Sequence, residues 1–252
     1  MAGHSKWANI KHRKARQDKA RGKMWSKCSR AIMAAVRQAG PDPSANLTLR
    51  YAIDEARYAN MPKDTITRAI EKASGAAEGD SYEDATYEGY GPGGVAFVID
   101  ALTDNKTRTV GDVRTAFNKG GGSMGQSGSV SYMFKARGVI VIEADQTTED
   151  QLMELAIEAG ADDVETPESE GDTFRVFAEP TEFLAVREAI EKADITVAQA
   201  EITKIPDTSV EVRGEDARKI LNLIDVLEDN DDVQKVYTNA DIPDDVLAEL
   251  QA

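Results

Sequence analysis

Cysteine is nearly absent from this chain of 252 residues. Cys28 stands alone, which excludes an internal disulfide framework and fits a reducing compartment. Long apolar runs are missing too. Those that occur, such as Val95 to Ile99 and Val139 to Ile142, are strand-sized, far short of the ~18 residues of a membrane span. The N-terminus lacks the apolar h-region of a secretory signal, and Gly3 falls one place too late for myristoylation. Histidine occurs only at His4 and His12. With a single cysteine beside them, no zinc spacing exists and no Ser-His-Asp or Cys-His arrangement suggests itself. Asp225 to Asp232 is acid-rich but lacks the glycine and terminal glutamate of a calcium loop. The phosphate-loop pattern G-x-x-x-x-G-K-S/T is also absent. Gly91-Pro92-Gly93-Gly94 precedes a strand instead of following one, and Gly120-Gly121-Gly122 follows a helix, where it reads as cap and turn. No catalytic residue, metal, cofactor, small-molecule substrate or membrane partner is therefore expected, and the chain reads as non-enzymatic.

What is present is charge, unevenly placed. Residues 1–40 hold eleven Lys/Arg against one acid, Asp18. Residues 41–75 are balanced, so the rest of the chain carries a net −25 within an overall −15. A basic arm on an acidic body binds a polyanion at one end and repels it everywhere else. The arm contains Lys6, Lys11, Arg13, Lys14, Arg16, Lys19, Arg21 and Lys23, continued by Lys27 and Arg30. These cations neutralise phosphates and release counterions. His4 and Trp7 add flat surfaces that stack on bases, although Trp7 serves equally well as a hydrophobic anchor. An Arg-rich, acid-poor N-terminus also suits a mitochondrial transit peptide, but Trp7 and the lack of a serine-rich stretch weigh against that.

Periodicity organises the remainder. Trp25, Cys28, Ile32, Val36 and Ala39 form one helical stripe, ended by Gly40-Pro41. Leu49, Ile53 and Ala56 mark a second helix. Ile66, Ala69, Ile70 and Ala73 mark a third, after Pro62 and before Gly75. Lys63, Thr67, Arg68 and Lys72 fall on that third helix, and Lys63 and Arg68 are candidate nucleic-acid contacts if the pair reads DNA, although a plain helical hairpin is the favoured account because these charges form no distinctive code. Residues 76–94 read as a linker. Strands are expected at Val95 to Ala101 and Ser129 to Phe134, with a short helix at Val110 to Phe117 between them. Residues 135–206 follow the β-α-β-β-α-β order of a ferredoxin-like unit. A strand at Thr208 to Val212, a helix through Leu227 and a strand at Val233 to Tyr237 then give a second half-unit, which completes the one at 95–134. The expected class is α+β, with a helical domain (1–75), a discontinuous middle α/β domain (76–134 plus 207–252) and an inserted ferredoxin-like domain (135–206).

The residues Ala2-Gly3-His4-Ser5-Lys6-Trp7-Ala8-Asn9-Ile10-Lys11-His12-Arg13-Lys14 resemble the opening of the YebC/PmpR family. Asn60-Met61-Pro62-Lys63-Asp64, Tyr87-Glu88-Gly89-Tyr90-Gly91-Pro92-Gly93-Gly94, Gly128-Ser129-Val130 and Val236-Tyr237-Thr238-Asn239 carry the resemblance along nearly the whole chain. Thr107 and Tyr132 stand where the family pattern leads one to expect Asn and Trp. The resemblance implies a three-domain cytoplasmic protein without a preceding transit peptide. Members of the family are described as DNA-binding transcriptional regulators, and others resemble ribosome-associated translation factors. The sequence alone leaves promoter DNA and ribosomal RNA both open as the partner.

Overall fold

The computed structural model describes residues 17–75, 82–167, 173–243 and 245–247. Helix α1 (Gln17–Ala39) buries Cys28, Ile32, Ala35 and Val36 along one side, as three- and four-residue spacing requires. Gly40 ends it at φ +90°, a left-handed conformation that glycine adopts without a Cβ clash. Asn46 then opens α2 (Leu47–Tyr58). Its side-chain oxygen accepts the Leu49 N–H, while its amide donates to the carbonyls of Ala35 and Gly40. One buried side chain thus caps the new helix and ties it to the end of the old one. Helix α3 (Lys63–Gly75) follows Pro62. Leu49, Ala52, Ile53 and Ala56 of α2 meet Ile66, Ala69 and Ala73 of α3 and the α1 stripe in one core. Trp25, expected on that stripe, is only half-buried, and its indole N–H donates to the Ala59 carbonyl at 3.0 Å.

The second layer differs from its expected form. Residues 83–90, taken as part of a linker, are strand β1 (Glu83–Tyr90), which pairs along its whole length with β2 (Ala96–Thr103). Helix α4 (Lys106–Lys119) leads to the short β3 (Ser123–Met124), which joins β1 on its other side. No strand runs from Ser129 to Phe134. The N–H groups of Gly128, Val130 and Ser131 all point at the Glu88 carboxylate, at 2.7, 2.7 and 2.9 Å, so they are not free to form a ladder. Strand β4 begins only at Phe134 and runs to Glu143.

From β4 onward the expected order appears: α5 (Glu149–Glu158), β5 (Asp163–Glu165), β6 (Thr173–Ala178), α6 (Phe183–Lys192) and β7 (Gln199–Pro206). The sheet order is β5-β6-β4-β7, antiparallel throughout. Its core holds Ile140, Ile142, Leu152, Val176, Phe183 and Ile190. Strand β8 (Val210–Glu211) does not enter the first sheet as expected; it pairs in parallel with β10 (Ala240–Asp241). Between them lie α7 (Gly214–Glu228) and β9 (Val233–Thr238), and β9 returns to pair with β2. The first sheet is therefore β3-β1-β2-β9, built from a hairpin and two strands that each follow a helix, not from a split β-α-β-β-α-β unit. Its inner face packs Phe97, Ile99, Phe117, Ile220, Leu223 and Val236 together with α4 and α7.

The outer face of this sheet positions everything else. At one end Ala96, Val98 and Tyr237 are covered by Val130, Met133 and Phe134 of the loop that leads to β4. At the other end β7 crosses over it. Lys204 reaches both carboxylate oxygens of Asp100, at 2.6 and 2.5 Å. Lys235 of β9 donates to Glu201 of β7 at 2.6 Å and lies 3.3 Å from Glu55 of α2. Burial alone would push the Lys235 ammonium down, but the two carboxylates outweigh it and hold the group above its ordinary value. Helix α2 also docks on helix α6 of the ferredoxin-like unit through Asp54, paired with Arg187 at 2.8 Å, and Tyr51, tilted against Phe183.

Candidate nucleic-acid interface

The expected contact residues separate into three groups. His4, Lys6, Trp7, Lys11, Arg13, Lys14 and Arg16 lie outside the described residues. Lys19 and Arg21 fall on the first turns of α1, where only the helix itself is described. The remaining five are in view, and they do two different things.

Lys23, Lys27 and Arg30 recur at helical spacing, so they share one side of α1. That side faces the C-terminal end of α7 and the turn after it. Lys23 pairs with the Asp229 carboxylate and donates to its carbonyl at 3.2 Å. Lys27 donates to the Glu228 carbonyl at 2.7 Å, and Arg30 to the Asp231 carbonyl at 2.5 Å and the Asp232 carboxylate at 3.3 Å. These carbonyls end a helix, where unsatisfied oxygens and the negative pole of the dipole both favour a cation. Asp232 is the centre of the joint. It is buried and accepts from Thr103, from Thr109 and twice from Arg108, whose shortest contact is 2.6 Å. Burial would raise this carboxyl, but the Arg108 and Thr109 hydrogen bonds prevail and hold it below the usual carboxylate range. An open cavity of about 610 Å³ remains beside it, lined among others by Lys23, Arg30, Tyr82, Asp104, Arg108 and Asp112.

Lys63 and Arg68 behave differently. Both are exposed on α3, with Thr67 and Lys72. Ile66, Ala69 and Ala73 point the other way, into the core. No ion pair engages Lys63, Arg68 or Lys72 among the described residues. The same outer face also carries exposed Asp64 and Glu71. Cys28 is buried under α2 and α3, and burial pushes its thiol up to about 12, so it supplies no thiolate at neutral pH. Among the described residues no helix is long and apolar enough to cross a membrane, and no three metal-ligating side chains converge.

Reading the sequence alone missed three features: the Asp232 joint, the Glu88 clamp and the Lys235 seam. Each joins residues far apart in the chain, and an isolated acid or lysine in sequence reads as a solvated surface group. Only the uncharged run at 120–134, beside the glycines already noted, marked any of them in advance.

Comparison with known proteins agrees with this architecture. Residues 5–76 match the family model described as the TACO1/YebC protein N-terminal domain. Residues 82–240 match that of the TACO1/YebC second and third domain. A protein of Methylococcus capsulatus named a probable transcriptional regulatory protein is 55% identical, the alignment covering 99% of this chain and 100% of that one. One of Enterococcus faecalis with the same description is 49% identical over 96% of this chain and 99% of its own. A crystal structure of a conserved hypothetical protein from Aquifex aeolicus superposes with a TM-score of 0.84 at 44% identity, covering 96% of this chain and 99% of that one.

Proposed function

The chain belongs to the TACO1/YebC family, and from that premise we propose that it is a nucleic-acid-binding regulator of gene expression that engages promoter DNA through its basic N-terminal domain. The observation that carries this reading is the segregation of charge, with eleven Lys/Arg and one acid in residues 1–40 of a chain whose net charge is −15. Like-charge repulsion from the acidic body leaves the N-terminal end as the face that a polyanion can approach. Exposed Lys63, Arg68 and Lys72 extend that face onto α3. Their helix is held rigid by the α1–α2–α3 core, which supports a positioned contact rather than a loose one. The names of the curated relatives point to the same role. If His4 to Lys19 contact about six phosphates, log K falls with log[salt] at a slope of roughly −5 on duplex DNA.

A second reading, a ribosome-associated translation factor, is favoured by one observation. Asp64 and Glu71 interrupt the cationic face of α3, and Lys23, Lys27 and Arg30 are already engaged by the α7 end. Among the described residues that leaves no uninterrupted basic helix for a groove, a requirement that contact with irregular RNA does not impose. A competition at about 0.15 M salt separates the two, because weak non-specific binding is already suppressed there. Labelled protein is offered its own promoter DNA, scrambled duplex and purified ribosomes together. Preference for the promoter over scrambled duplex is the expected result. Capture by ribosomes with both duplexes equally weak establishes the translation reading instead. Lys11→Glu, Arg13→Glu, Lys14→Glu and Lys19→Glu combined abolish either mode, and unchanged affinity in that variant removes the arm from the mechanism.

A further inference from the structure

We propose that Tyr132 and the uncharged surface around it form a second contact for nucleic acid, one that stacks on unpaired bases. The proposal rests on the nucleic-acid reading above and adds to it a site remote from the arm in sequence. Charged residues make up 30% of the chain, yet residues 89–99 and 120–134 contain no Asp, Glu, Lys, Arg or His. The fold brings the two stretches together. A Cβ at Gly122 would sit 2.4 Å from the Tyr90 carbonyl oxygen and 3.0 Å from the Gly91 Cα, so only glycine allows the backbones to approach so closely. Gly121, in a left-handed conformation at φ +76°, lies in ordinary contact over Pro92. The Tyr90 hydroxyl donates to the Ser129 carbonyl at 3.1 Å and bridges the two segments.

This surface is held in place from below. Glu88 is buried under the loop and accepts three of its backbone N–H groups, and charge-assisted bonds of that kind are about twice as strong as neutral ones. They hold the carboxyl below its usual range against the opposing effect of burial. Val130 and Phe134 anchor the same loop in the apolar patch on the sheet. On this fixed support Tyr132 stands 73% exposed, the most exposed of the large apolar side chains among the described residues, with Tyr90 at 37%. Among the described residues no ring or cation stacks on Tyr132. The loop thus presents an aromatic face already ordered, at little further entropic cost to a ligand.

The chemistry suits a single strand. Base faces stack on aromatic rings without regard to sequence, whereas a duplex hides them. Exposed Ser127 and Ser131 offer hydroxyls to sugars and phosphates. Lys119, exposed and without an ion pair among the described residues, stands at the start of the loop, and Lys219, already paired with Glu215 at 2.7 Å, lies beside Gly121. Two carboxylates of α7 stand nearby, Asp216 beside Gly93 and Glu215 paired with Lys219. On so acidic a body, a surface whose own segments expose no carboxylate is where a phosphate backbone meets least repulsion.

The test uses the full chain and fluorescence anisotropy with labelled single-stranded RNA of about 12 nucleotides, alongside an abasic oligonucleotide of the same length. Tyr132→Ala is expected to weaken binding to the RNA by about 5- to 100-fold. Tyr132→Phe retains the ring and the affinity, and neither variant alters binding to the abasic strand. The Tyr132→Ala unfolding midpoint stays that of the parent, because the ring sits in solvent. Unchanged RNA affinity in Tyr132→Ala, or equal losses on RNA and abasic strand, overturns the proposal. If the charge-reversed arm abolishes binding while Tyr132→Ala does not, this surface fails and the nucleic-acid reading stands. If the parent protein binds promoter DNA but not the RNA, this surface fails and the reading stands; if it binds neither promoter DNA, RNA nor ribosomes, the reading itself fails.

Discussion

Replacing Lys235 with Met removes one charge from the seam where α2, β7 and β9 meet. Methionine keeps the length of the apolar stem and deletes only the ammonium. The lysine side chain is 19% exposed, against 25% for Glu201 and 44% for Glu55. Breaking a fully buried pair costs about 3–5 kcal/mol, because the surviving charge is left without a partner. A solvent-exposed pair is worth about 0–1 kcal/mol. The Glu201 contact, at 2.6 Å and mostly screened from water, falls between these limits. The Glu55 contact, longer and half in solvent, adds almost nothing. A loss of about 2 kcal/mol follows. With a urea slope of roughly 3 kcal/mol/M, the midpoint drops by about 0.7 M. The assay is urea unfolding followed by circular dichroism on the parent, Lys235→Met, Glu201→Met and the double variant. The double variant is expected to recover most of the loss, since apolar replacement of a whole buried pair is often neutral. A coupling below about 0.5 kcal/mol would mean that the pair is incidental to the seam and refute the reasoning.

Two further outcomes test the packing. Asp232 and Glu88 both titrate below the ordinary carboxylate value in the folded state. Their stabilisation is therefore complete above about pH 4, the ordinary carboxylate pKa, and is lost as pH falls through the lower folded values. Acid titration of Asp232→Asn should show lower stability at neutral pH, by about 1–3 kcal/mol, with a flatter decline below pH 4; a parent-like acid profile would remove Asp232 from the joint. Gly138 faces Phe183, and a Cβ there would lie 2.5 Å from its ring. Gly138→Ala should cost about 1–3 kcal/mol by overpacking, read from thermal unfolding, and a neutral result would show that the ring has room to move.

How much of this was legible beforehand depended on where each residue's partner lies. The α1 stripe of Cys28, Ile32 and Val36 could be read directly, since helix partners sit three and four residues away. The unit from β4 to β7 was readable too, because the apolar runs of β4 and β6 and the helical stripes of α5 and α6 are separated by turn residues. Strand β1 was not. Its outer positions, Thr86, Glu88 and Tyr90, are polar or aromatic, and Glu88 is buried only because a loop forty residues on wraps its carboxylate. That same wrapping turned the expected strand at Ser129 into a loop. The basic residues were evident from composition, but not their division of labour. Lys23, Lys27 and Arg30 find their partners some two hundred residues away, at the end of α7. Nothing in local spacing encodes that pairing, whereas the exposure of Lys63 and Arg68 follows from the apolar face opposite them.

Strand β9 closes the first sheet long after the rest of it has been made. Phe97 pairs with Thr238, and the Asn239 side chain accepts the N–H of Ala96, 143 residues earlier in the chain. The intervening unit has no such delay, since its first and last strands are neighbours and Phe134 lies opposite Pro206. During synthesis, then, the unit between β4 and β7 can complete itself while the β1–β2 hairpin waits with the edge of β2 open. Val98 and Ile99 lie on that edge strand, one on each face, and an unpaired apolar edge is a template for association with another chain. A product terminated before Val233 carries that edge permanently. Nascent or truncated copies are thus the sticky form of a strongly acidic protein, and β9 doubles as the cover that protects this edge from self-association.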